Sequence, residues 1–116
     1  MFFGGYNSNS WASNNQWLYS SDCFLFSLVN IYNIEPTKFP RNNNNKYAVL
    51  NSPNYGPNFG DGWDIGADSD KFLNNANSNF PYSYQDTLGK GKSIFTGNTN
   101  NDKLELKEIE VFNLSK

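Results

Sequence analysis

"CFLFSLVNIY", residues 23–32, is the stretch whose reading decides the fold class. Phe24, Phe26 and Leu28 share one parity, and Cys23, Leu25, Val29 and Ile31 share the other. Apolar residues at both parities over so short a run predict a strand covered on both faces, central in its sheet or leaned on by a helix. Phe, Val, Ile and Tyr favour a strand over a helix, and Asn30 and Pro36 soon interrupt the run.

Working outward, "FFGGY" (2–6) reads as a neighbouring strand in which Gly4-Gly5 permits a bulge or a close backbone approach. "KYAVLN" (46–51) and "WDIGA" (63–67) read as two more strands. "KSIFTG" (92–97) and "LELKEIEVFNL" (104–114) form a closing hairpin across "NTNND". The last segment changes parity, which a bulge near Lys107-Glu108 would accommodate. The expectation is a single mainly β domain over 1–116, a two-layer antiparallel β-sandwich with few short helices.

Composition supports layers packed on rings. Of 116 residues 17% are aromatic, while Leu, Ile and Val are sparse, so the core must be filled by aromatic side chains of about 150–250 Å² each. Asn clusters at 42–45, 74–79 and 98–101 mark loops, because Asn suits neither strand nor helix interiors. A net charge of −2 argues against nucleic acid or an anionic membrane as partner; only Arg41 and the Lys90/Lys92 pair are locally basic. No apolar run approaches the roughly 18–20 residues of a membrane span, so no direct membrane insertion is expected. The single cysteine, Cys23, rules out an intrachain disulfide framework and suits a reducing, cytoplasmic setting.

The absence of histidine is the most decisive negative for chemistry. It removes Ser-His and Cys-His dyads, most zinc sites and the usual proton shuttle near neutral pH. Asp61, Asp64, Asp68 and Asp70 offer the carboxylates that a hard cation would take, but at spacings unlike an EF-hand loop and without its bidentate Glu; short Asp side chains more often bond turn backbone. "GKGKS" (89–93) resembles the end of a phosphate-binding loop, yet Asp86 stands where that pattern needs glycine, and Ile94-Phe95-Thr96 reads as a strand rather than the required helix. Cys23 is the one thiol that could react with peroxide, but it opens the most apolar strand and follows Asp22, whose charge would raise a thiol pKa; a small buried hydrophobe is the preferred reading. Glu105, Glu108 and Glu110 with Lys103 and Lys107 read as a solvated strand face.

"NYGPNFGDGWDI" (54–65) is either a ligand-gripping or interaction loop, or the scaffold of a turn between sheets. Its candidate residues are Asn54, Tyr55, Gly56, Pro57, Phe59, Gly60 and Asp64. Proline cannot continue a central strand, and Gly60 and Gly62 supply positive-φ positions. The rings and glycines account for a turn without a ligand, with Asp64 expected to accept hydrogen bonds from the glycine-loop amides.

Taken in order, "FFGGYNSNSW", "DCFLFSL", "PTKFP", "YAVLNSPNYGPNFGDGWDI", "SNFPYSYQDTLGKGKSIFTG" and "LKEIEVFNL" resemble the later part of a TLDc domain over nearly the whole chain. Members usually carry further N-terminal strands and a helix before the "FGGY" element, and their glycine loop differs from Gly60-Asp61-Gly62-Trp63-Asp64. The resemblance implies a β-sandwich that acts as a non-catalytic protein-interaction module, in families linked to oxidative-stress resistance and to vacuolar proton-pump subunits as partners. It implies no catalytic residues and no cofactor. A sheet edge left bare by absent N-terminal strands would invite self-association. The alternative is a carbohydrate- or small-ligand-binding β-sandwich using Trp11, Trp17 and Trp63 with the Asn and Asp loops.

Overall fold

The computed structural model describes residues 1–7, 16–18, 22–42, 49–51, 58–60, 63–67, 76–98, 102–106 and 110, with the backbone alone at 16–18, 49–51 and 67. Among these, strand β1 (Phe2–Tyr6), β3 (Phe24–Val29) and β4 (Thr37–Pro40) form one antiparallel sheet in the order β1-β3-β4. Strands β2 (Gln16–Leu18), β5 (Val49–Asn51) and β6 (Asn58–Phe59) form a second, and β7 (Gly66–Ala67) pairs with β8 (Ala76–Asn77). The only helix among the described residues is the turn α1 (Ser93–Thr96). The fold is mainly antiparallel β.

The 23–32 run supplies the central strand, but its two faces are not equally covered. Cys23, Leu25 and Ser27 are buried, whereas Phe24 and Phe26 are half-buried and Leu28, Val29 and Ile31 are exposed. The outer face is instead shielded by rings and a cation. Tyr6 stacks on Phe24 with centroids 5.2 Å apart, and Lys38 Nζ lies 4.5 Å from the Phe24 centroid. The strand also ends at Val29, because the Asn30 carboxamide oxygen accepts from the Tyr32 and Ile34 amides and folds the chain into a turn.

Strand β4 was not apparent from the pattern, since prolines stand at 36 and 40. Its place in the described sheet order explains them: β4 pairs with β3 on one side only, and an edge strand tolerates residues that cannot donate to a ladder. On β1 the register shift falls between Phe2 and Phe3, so the glycines serve close approach instead of a bulge. A Cβ on Gly5 would stand 2.5 Å from Cζ of Phe59, a β6 residue, which means that the ring of one sheet lies directly on the backbone of the other.

The closing hairpin is corrected at its first arm. Residues 93–96 make one helical turn, not a strand. The β-branched Ile94 and Thr96 pointed to a strand, but Ser93, Ile94, Phe95 and Thr96 are all buried, which a half-covered strand cannot achieve. Gly97 ends the turn in the left-handed region at φ 72°, its amide donating to the Ser93 carbonyl. Among the described residues the second arm is not paired with the first either: Lys103 bridges to Asn77 and Leu104 N–H donates to the Ala76 carbonyl at 2.9 Å, residues 104–106 form no strand, and the parity change at Lys107-Glu108 lies outside the described residues. "WDIGA" is likewise a strand only at Gly66–Ala67, with Ile65 bridged to Phe59 and Trp63 in the turn before it.

Rings fill the centre. Phe39, Phe80 and Phe95 meet edge to face in a closed triangle, with centroids 5.0, 5.6 and 5.0 Å apart, and Phe3 adds to Phe95 at 5.3 Å. Leu25, Ile65, Ile94 and Leu104 occupy the gaps around them. Such edge-to-face pairs each contribute about 0.5–1.5 kcal/mol beyond the area they bury. No helix among the described residues is long and apolar enough to cross a membrane.

Candidate functional site

Asp64 follows a tight turn. Trp63 N–H donates to the Gly60 carbonyl at 3.2 Å, while Phe59 and Ile65 exchange amide-carbonyl bonds at 2.9 and 3.4 Å. Gly60 sits at φ 93°, and a Cβ there would stand 2.0 Å from Oδ1 of Asp64. Glycine at 60 is thus required twice, by the backbone and by the carboxylate pressed against it.

The glycine-loop amides of Asp61 and Gly62, expected from the sequence as donors to this carboxylate, lie outside the described residues. The carboxylate reaches to residues 82–84. Ser83 N–H donates to both oxygens at 2.9 and 3.0 Å, and the Tyr82 and Tyr84 amides donate to Oδ2 at 2.7 and 3.1 Å. Ser78 Oγ donates to the Asp64 carbonyl at 2.6 Å, and Ser78 N–H donates to the Asp102 carbonyl at 2.7 Å. The far side of the 82–85 segment is sewn to the end of β4: Asn42 N–H donates to Ser83 O at 2.7 Å and Gln85 N–H to Pro40 O at 2.8 Å. The Asp64 carboxylate therefore joins its own turn to residues 82–84, which backbone bonds tie in turn to the β4 end.

Asp64, Ser78 and Ser83 are all 0% exposed, and Tyr84 is 1% exposed. Burial pushes the Asp64 carboxyl above the ordinary carboxylate range, against the opposing pull of the Ser83, Tyr82 and Tyr84 amides. Burial also raises the Tyr84 phenol, with Cys23 and Asp64 adding to the effect and Arg41 opposing it. Cys23 itself is buried, its thiol donating to Asn7 Oδ1 at 3.5 Å. A peroxide-reactive thiolate needs solvent access that this position lacks.

Of the remaining turn candidates, Phe59 and Gly60 join Asp64 around the turn, while Asn54, Tyr55, Gly56 and Pro57 lie outside the described residues. Asp61, Asp68 and Asp70 also lie outside them, and among the described residues no group of three His, Cys, Asp or Glu comes together. Trp63 is half-buried in the turn at φ 58°; Trp11 and the Trp17 side chain fall outside the description.

A second carboxylate, Asp86, marked in the sequence only as a break in the phosphate-loop pattern, organises the "GKGKS" loop. Asp86 Oδ1 accepts from the Leu88 and Gly89 amides at 3.2 and 2.8 Å, and Oδ2 accepts from Gly91 N–H at 2.7 Å. The resemblance to a phosphate loop fails for this reason, not for want of a helical turn, which is present at 93–96. Three of the loop amides that would face a phosphate, those of Leu88, Gly89 and Gly91, face Asp86. The signal was there: an Asp followed at the third and fifth positions by glycines, both at positive φ.

Comparison with known proteins places this architecture. The family model described as the TLDc domain matches residues 1–115. No curated protein and no solved structure matches.

Proposed function

Because the chain belongs to the TLDc domain family, we propose that it works as a non-catalytic protein-interaction module in the cytoplasm, serving resistance to oxidative damage through contact with subunits of the vacuolar proton pump. The observation that carries this reading is the use made of four reactive side chains and one further carboxylate among the described residues. Cys23, Asp64, Tyr84 and Arg41 are all buried, and Asp64 and Asp86 each spend their oxygens on backbone amides. General acid-base or nucleophilic work needs such groups in a cleft within reach of a substrate.

What the fold leaves outward is suited to contact. Tyr82 is 56% exposed while its own amide is fixed by Asp64, so its ring stands on a held backbone. Tyrosines presented without loss of loop entropy are favoured anchors in protein interfaces. The tagged chain, incubated with extract of cells that carry it, is expected to capture proton-pump subunits, and Tyr82→Ala to reduce the yield. Capture of no pump subunit would remove that partner. Peroxide consumption by the purified chain, lost in Cys23→Ser, would overturn the non-catalytic reading.

A further inference from the structure

The loop held by Asp86 borders an open cleft of about 400 Å³ lined by Asn79, Phe80, Lys90, Gly91, Lys92 and Ser93. We propose that this cleft is the docking surface for an acidic peptide segment of a protein partner, read by the Lys90 and Lys92 ammonium groups. The proposal rests on the interaction-module reading and names the place and the chemistry of the contact.

The loop is preorganised. Its backbone is fixed by the three amides that Asp86 gathers. Lys90 Nζ rests 4.8 Å from the centroid of the Tyr32 ring, Tyr32 Oη bonds Ser93 Oγ, and Ser93 Oγ donates to the Lys90 carbonyl at 2.7 Å. A ligand therefore meets a loop whose ordering cost is already met by the fold. Apart from its neighbours Lys90 and Lys92, nothing lies within 4 Å of where a Cβ on Gly91 would stand, so no other part of the fold covers the loop there.

Charge sets the occupant. Two cations two residues apart stand on a chain of net charge −2, and the acid on their own loop, Asp86, is turned into the backbone. A phosphate would have to displace Asp86 from the Leu88, Gly89 and Gly91 amides, and a nucleic acid needs a longer track of cations than these two lysines. Side-chain carboxylates on a short peptide match point-charge ammonium groups without requiring amides.

The test is titration of the isotope-labelled full chain with an oligoglutamate peptide, followed by amide chemical shifts. Shifts confined to residues 79–80 and 90–93, absent with an oligoglutamine peptide, are expected. Lys90→Glu with Lys92→Glu should weaken binding by about tenfold or more, and the paired Lys→Ala variant less, with melting unchanged in both. No shifts, shifts elsewhere, equal response to oligoglutamine, or preferential binding of inorganic phosphate or a DNA oligonucleotide would overturn it. Wild-type capture of protein partners by the charge-reversed chain would sink the cleft and leave the module standing. Failure of the wild-type chain to capture any partner would sink the module, while the oligoglutamate titration would still decide the cleft.

Discussion

Asp64 and Asp86 do the same local work and stand in opposite surroundings. Each carboxylate gathers three backbone amides from a segment that follows it in the chain. Asp64 is sealed from water and reaches 18 to 20 residues ahead, so its bonds tie separate parts of the fold together. Asp86 is half-exposed and reaches only 2 to 5 residues, so its bonds shape one surface loop. A carboxylate–amide bond is not in itself a sign of function or of framework. Span and burial decide which it serves.

The largest expected effect breaks the first region from below. Gly60→Val forces a Cβ into Asp64 Oδ1 and a β-branched residue into φ 93°, and the variant should show no cooperative melt. Asp64→Ala leaves three amides, two of them buried, without their acceptor and should cost about 3–5 kcal/mol in denaturant unfolding. A loss below about 1 kcal/mol would mean that water substitutes for the carboxylate.

The pH dependence sharpens the contrast. The folded-state pKa of Asp64 is raised by burial above its ordinary value of 3.8, so the folded chain holds that proton more tightly than the unfolded chain does. The stability from this linkage is fully present below the unfolded value and is lost as pH rises through the folded one. Wild type should therefore lose ground to Asp64→Asn as pH rises across that window. A gap that widens in favour of wild type would contradict the burial effect.

The smallest effect belongs to the surface. Asp86→Ala should cost only about 1 kcal/mol, because water reaches the amides it frees. Its signature is faster amide exchange at 88, 89 and 91, with the core unaltered.

The same contrast of span and burial governs what could be read from the residues alone. The central strand and the ring-filled core were legible because they rest on composition and parity, which are local. The 93–96 turn was misread, since Ile94 and Thr96 favour strands and the burial of four successive residues depends on Phe3, Phe39 and Phe80 arriving from elsewhere. Asp64 was legible as a turn acceptor, but its bonds to residues 82–84 were not, because the fold brings that segment to it. Asp86 could have been found, its partners being near neighbours with glycines at the right offsets. β4 was hidden by the two prolines that its position explains.

The central claim, that Asp64 fastens the framework while Asp86 shapes a surface loop, is tested most directly by native-state amide exchange on the intact chain. Amides of 82, 83 and 84 should exchange only through global unfolding, with protection equal to that of Leu25 and Phe39, while those of 88, 89 and 91 should open locally and much sooner. Equal, rapid exchange in both segments would contradict the account.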